Sequence, residues 1–213
     1  MGGQSLRRML QGGDRRSIGK ANQVAARILG NSSEFHQLIE CLWDEDPIVR
    51  MRAADAAEKV SVRRSDLLQS FKAELLGLAH ETTQAELRWH LALMIPRLSL
   101  NRTERERATA ILQGFLDDRS SIVKTFAIQA LADLAHGDPT REERVFELLQ
   151  EICRTGTPAM KARSRNLLKR FQRKHDEAGK GNSKADVPRR ESRRNPQREK
   201  PACLDEHPRR VTT

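Results

Sequence analysis

Tyrosine is absent from these 213 residues, and aromatic side chains make up only 4% of them. An interior of large stacked rings is thereby excluded, and a thin core of Leu, Ile, Val and Ala is expected. Cysteine is scarce as well. Cys41, Cys153 and Cys203 are odd in number and far apart. That spacing excludes a disulfide framework and a cysteine-type zinc site, and makes a reducing cytoplasmic setting the expectation. No apolar run approaches the ~20 residues of a membrane-crossing helix. The opening stretch MGGQSLRRMLQGGDRRS carries no apolar core of a secretory signal. Where a myristoylation pattern after Gly2 requires Ser or Thr, Leu6 stands instead. No membrane partner is expected.

Catalytic signatures are also missing. His36, His80, His90 and His136 never fall four apart or in an H-E-x-x-H frame, so no zinc helix is present. The chain has no G-x-S-x-G elbow and no phosphate-cradling glycine loop. Acids mostly alternate with bases, as they do on solvated helix faces. The expectation is a protein without enzymatic activity, cofactor or metal.

Positive charge is plentiful: the net charge is +10. Its location matters more than its size. Residues 1–20 are net +4, residues 173–213 net +5, and residues 21–172 only +1. The two ends are also poor in large apolar residues, so little burial offsets the entropy of ordering them. Three regions follow: a basic flexible segment at 1–20, a folded domain at 21–172, and a basic disordered tail at 173–213. The ends are expected to hold nucleic acid weakly and without sequence preference, through counterion release.

The domain repeats itself. Val49-Arg50, Leu87-Arg88, Val123-Lys124 and Met160-Lys161 align at spacings of 38, 36 and 37. Eleven residues before each anchor stand Leu38, Leu76, Leu112 and Leu149; eleven after stand Val60, Leu98, Leu134 and Phe171. Four after come Ala53, Leu91, Ala127 and Ser164, and eight after come Ala57, Ile95, Leu131 and Leu168. Offsets 0, 4, 8 and 11 share one face of a helix. Asp46, Thr83, Ser120 and Thr157 are cap candidates 37 residues apart, with Pro47 and Pro158 at first helical positions and Glu86 completing a capping box with Thr83. Each unit thus reads as helix A, a tight turn and helix B. Pro96 should bend the second helix B near its end. Since no such unit buries its apolar face alone, the units are expected to stack.

This pattern resembles the HEAT repeat family. Asp44 with Arg50, and Asp118 with Lys124, match that family's turn Asp and early helix B base, whereas Thr82 and Thr155 replace the Asp in the other two units. The resemblance covers roughly 31–172. It implies an all-α fold, a right-handed α-α superhelix (solenoid) of about four HEAT-like helical hairpins. It also implies that the base column Arg50, Arg88, Lys124 and Lys161 pairs with turn residues as a structural ladder rather than contacting a ligand.

Within that picture helix B lines the concave side, and the residues beside its core stripe form the candidate partner surface: Arg52, Lys59, Trp89, His90, Arg97, Phe126, Arg163 and Arg170. Trp and Arg are enriched at binding hot spots. Two readings of Trp89 and Phe126 stand side by side: partner contact, or packing between neighbouring units. The leading functional expectation is a non-catalytic scaffold or adaptor that binds a protein through helix B. The alternative is a nucleic-acid-binding HEAT module resembling the alkylpurine DNA glycosylases, with Trp89 as the aromatic and Asp55 or Asp133 as the acid. The near-neutral domain opposes the alternative, because phosphate binding needs a positive groove.

Overall fold

The structure, a computed structural model, describes residues 5–14 and 17–183. Among the described residues all regular structure is helical. No helix among them is long and apolar enough to cross a membrane. Residues 1–175 form one body, and 176–213 a second unit of which 176–183 are described, as helix.

Helices α1 (Leu6–Leu10) and α2 (Ala21–Gly30) come first. Four hairpins follow. The first pairs α3 (Phe35–Glu40), extended by a 3-10 turn at Cys41–Trp43, with α4 (Pro47–Arg63). The second pairs α5 (Lys72–Glu81), preceded by a 3-10 stretch at Ser65–Phe71, with α6 (Ala85–Met94). The third pairs α7 (Arg102–Gly114) with α8 (Ser121–Ala135), and the fourth α9 (Pro139–Thr155) with α10 (Pro158–Ser183).

Local chemistry sets the starts. Asp46 Oδ1 accepts from Ile48 N at 2.8 Å ahead of Pro47, and Ser120 Oγ accepts from Val123 N at 3.4 Å. Thr157 Oγ1 accepts from Met160 N at 3.4 Å. Each side chain satisfies an amide that the helix leaves without an internal partner. The second unit departs from expectation: its cap residue is Gln84, not Thr83. Thr82 Oγ1 accepts from Gln84 N at 3.2 Å, and this side-chain turn delays the helix by one residue. Asn101 and Glu104 form a reciprocal capping box at α7. Beyond α6, Pro96 sits in a 3-10 turn at Ile95–Arg97, the tight ending expected where a backbone donor is missing.

The repeated columns are the core. Val49, Leu87, Val123 and Met160 are buried, as are Leu38, Leu76, Leu112 and Leu149. Of the offset-eight residues Ala57, Ile95 and Leu131 are buried, while Leu168 is half-buried and its neighbour Leu167 points inward. Small Ala53, Ala57 and Ala127 let the second helices approach closely, and α2, α4, α6 and α8 pack in succession. One apolar cluster runs from Leu6 to Leu134. A second, built on Ile128, Ala132, Leu149, Ile152, Met160, Leu167 and Phe171, joins α8 to the last hairpin.

Helices reach into both end segments. Within 1–20, α1 buries Leu6 and Leu10 against α2, α3 and α4. Two leucines one helical turn apart suffice to anchor a short basic helix, because its arginines stay outside. At the other end α10 continues past residue 172 to Ser183. The rest of the expected tail, 184–213, lies outside the described residues.

Candidate functional site

The two arginines of the base column bind turns, whereas Lys124 and Lys161 make no such bond among the described residues. Arg50 Nη1 donates to Asp44 O at 2.7 Å, and Arg88 Nε donates to Thr82 O at 2.7 Å, each six residues back. The same guanidinium groups also reach the next hairpin: Arg50 Nε donates to Gln84 Oε1 at 2.8 Å, and Arg88 Nη1 to Asp118 Oδ2 at 2.5 Å. Arg7 adds an earlier rung, with Nε 2.5 Å from Asp44 Oδ2. Its hydrogen bond and charge hold the Asp44 carboxyl below its usual range. At Asp118 burial pushes the carboxyl up, but the Ser120 N–H and Arg88 outweigh it and the net direction is down. Arg7 escaped the repeat count, yet its signal is visible: Leu6-Arg7 with Leu10 repeats the anchor, base and offset-four pattern of Val49-Arg50 with Ala53.

One column crosses the second helices beside the core: Arg52, His90, Phe126 and Arg163, each three residues after its anchor. Its two ends differ sharply. Arg52 is only 2% exposed. Its guanidinium donates to the carbonyls of Leu10 at 2.9 Å, Ser17 at 3.1 Å and Asp14 at 3.2 Å, and to that of Gly12. The loop after α1 therefore lies over this part of α4. His90 is also 2% exposed. Burial and the charge of Lys59 push its pKa down to about 3, and Nδ1 is buried with no hydrogen-bond partner among the described residues. Neither Arg52 nor His90 is a surface contact. The expectation failed because helical spacing reports only a residue's own unit, and both are covered by others.

Two more candidates are spoken for within the chain. Lys59 Nζ donates to Asp55 Oδ2 and Asn22 Oδ1, both at 2.6 Å. Arg97 donates to Ser61 Oγ and Glu58 Oε1 at 2.6 Å and to Glu58 O at 3.0 Å, tying the end of the second hairpin to α4.

The remaining four lie along a connected row. The rings of Trp89 on α6 and Phe126 on α8 stack with centroids 5.4 Å apart, and the Arg163 guanidinium of α10 lies 5.6 Å from the Phe126 centroid. Arg163 Nη1 donates to Gln129 Oε1 at 3.0 Å, Gln129 Nε2 donates to both Asp133 oxygens, and Arg170 Nη1 stands 3.0 Å from Asp133 Oδ1. Trp89, Phe126 and Arg163 are half-buried and Arg170 is exposed. The aromatics thus pack across hairpins and still keep accessible surface. Asp55 and Asp133, the acids of the glycosylase-like alternative, each sit in an ion pair.

No cluster of three His, Cys, Asp or Glu among the described residues is placed to hold a metal ion. Burial pushes the Cys41 thiol up to about 11, which makes it a poor nucleophile. Neither a known protein-family pattern nor a curated protein sequence matches the chain.

Proposed function

We propose that this chain is a HEAT-like scaffold without catalytic activity. In this reading its four hairpins stack as a right-handed solenoid, and a protein segment binds across the second helices α6, α8 and α10. The observation that carries the reading is the Trp89–Phe126–Arg163 stack. Three successive hairpins contribute one side chain each, so a partner lying across them meets aromatic surface and cations together. Flat rings lose little rotamer freedom on contact, and a guanidinium fixed over a ring is pre-organised for a carboxylate.

The contact residues on this account are Trp89, Phe126, Arg163 and Arg170. Affinity purification from the native cell tests it, comparing the full chain with Phe126→Ala and with an Arg163→Glu, Arg170→Glu double variant. Loss of the same partner from both, with unchanged thermal unfolding, supports the reading. An unchanged partner set in folded variants removes this face as the binding surface.

A further inference from the structure

A groove runs between the first helices of the last two hairpins, on residues the aromatic row does not use. Helices α7 and α9 do not pack closely against each other, whereas each packs on α8. The gap is floored by Leu131, Leu134 and Ala135 and walled by Ala110, Val145 and Leu148, and it encloses about 470 Å³. One end opens into a second depression of about 640 Å³, where α8 gives way to α9. Glu106, Arg141 and Arg144 line both.

The mouth is strongly cationic. Arg102, Arg105, Arg141 and Arg144 converge there against Glu106 and Asp138. Glu142 turns inward, accepting from Gly137 N at 2.9 Å. The arginines are only partly satisfied. Arg102 pairs with Glu106 at 3.2 Å in full solvent, and Arg105 Nη1 donates to Leu134 O at 3.0 Å. Arg141 pairs through Nε with Asp138 at 3.1 Å, but its Nη1 is buried with no hydrogen-bond partner among the described residues. Arg144 is exposed and has no ion pair among the described residues. That nitrogen is closed off from solvent, so an arriving carboxylate meets the accessible part of the Arg141 guanidinium and the exposed Arg144.

We propose that this groove docks a peptide segment of a partner protein in which bulky apolar residues are followed by a run of Asp and Glu. The apolar side chains fill the floor over Leu131, Leu134 and Leu148, and the acids meet Arg102, Arg141 and Arg144. Charge complementarity selects this occupant: a basic or purely apolar segment would leave the arginine mouth uncompensated. The site stands independently of the aromatic row.

Fluorescence anisotropy of the full chain tests it, using a labelled synthetic peptide with three bulky apolar residues followed by four acids. Two control peptides replace either the acids with Asn and Gln or the apolar residues with Ser. Ala110→Glu and Arg144→Glu, both at exposed positions, alter the groove without touching the core. The expected result is saturable binding that weakens by about tenfold or more in each variant and with each control peptide, falls with added salt, and survives Phe126→Ala. Three results overturn the proposal: no binding, equal binding of the Ser control, which marks charge attraction alone, or unchanged binding in both variants. Displacement of the peptide by dodecanoate at lower concentration also overturns it, in favour of a small alkyl carboxylate.

Discussion

Arg52 Nη1 donates to the Leu10 carbonyl at 2.9 Å, across 42 residues of sequence. With the further bonds to Gly12, Asp14 and Ser17, one guanidinium satisfies four carbonyls from the end of α1 and the loop after it. Gly19 belongs to the same device. Its φ is +51°, and a Cβ there would stand 2.8 Å from Arg52 Cζ, so both backbone conformation and space demand glycine. Arg52→Met is expected to cost about 2–4 kcal/mol, since it strips buried carbonyls of their donor. Arg52→Lys should recover little, because an ammonium cannot span four acceptors as a planar fork does. Chemical denaturation measures the cost. Amide exchange should show 10–14 and 17–20 losing protection ahead of α4, and uniform loss along the chain would count against a local latch.

Asp118 serves two hairpins at once. Its Oδ1 accepts from Ser120 N at 2.7 Å and its Oδ2 from Arg88 at 2.5 Å. Asp118→Ala removes a turn and a rung together and should destabilise by about 1–3 kcal/mol. Asp118→Asn keeps the turn acceptor and should lose less. Arg88→Ala and Asp118→Ala should combine with less than additive cost. Strict additivity in a double-mutant cycle would show that the ion pair contributes nothing of its own.

Leu112 and Leu131 are both buried in the third hairpin. Either change to Ala should cost about 2–5 kcal/mol through lost contacts and the cavity left behind. If the hairpins stack, the loss spreads to their neighbours. Wild-type-like thermal unfolding of Leu112→Ala would contradict this register.

His90 makes stability pH-dependent in a defined window. Its folded pKa lies near 3 and its ordinary value is 6.5, so the fold favours the neutral ring. That stabilisation is complete above pH 6.5 and is lost as pH falls towards 3, at about 1.4 kcal/mol per unit. The depressed carboxylates Glu34, Asp44 and Asp118 have ordinary values of 4.5, 3.8 and 3.8. Their contribution is lost only lower, as pH drops through their folded values. Between pH 7.5 and 5.5 the wild type should therefore lose roughly 1.4 kcal/mol, and His90→Gln should lose almost none. Equal slopes in the two proteins would show that His90 is charged or solvated in the fold.

The hairpins were legible because helical periodicity and capping chemistry are local. Offsets 0, 4 and 11 predicted burial for every anchor, from Val49 to Phe171. The candidate surface was half legible. Trp89, Phe126, Arg163 and Arg170 emerged where the spacing put them, beside the core. Arg52 and His90 did not, because what covers them arrives from elsewhere in the chain. The loop over Arg52 comes from a segment whose composition argued for flexibility, and only Leu6 and Leu10 betray that it packs. The arginine groove was invisible for a similar reason: Arg102, Arg105, Arg141 and Arg144 come from two helices and converge only in the fold.

Site-specific photo-crosslinking in the native cell bears most directly on the proposed binding face. A photoreactive residue at Asn166, exposed on α10 between Arg163 and Arg170, samples that face, and one at Glu74, exposed on α5, samples a surface assigned no role. The scaffold account predicts a discrete protein adduct from position 166 that disappears with Phe126→Ala, and none from position 74. An adduct from position 74 with none from 166 would contradict it.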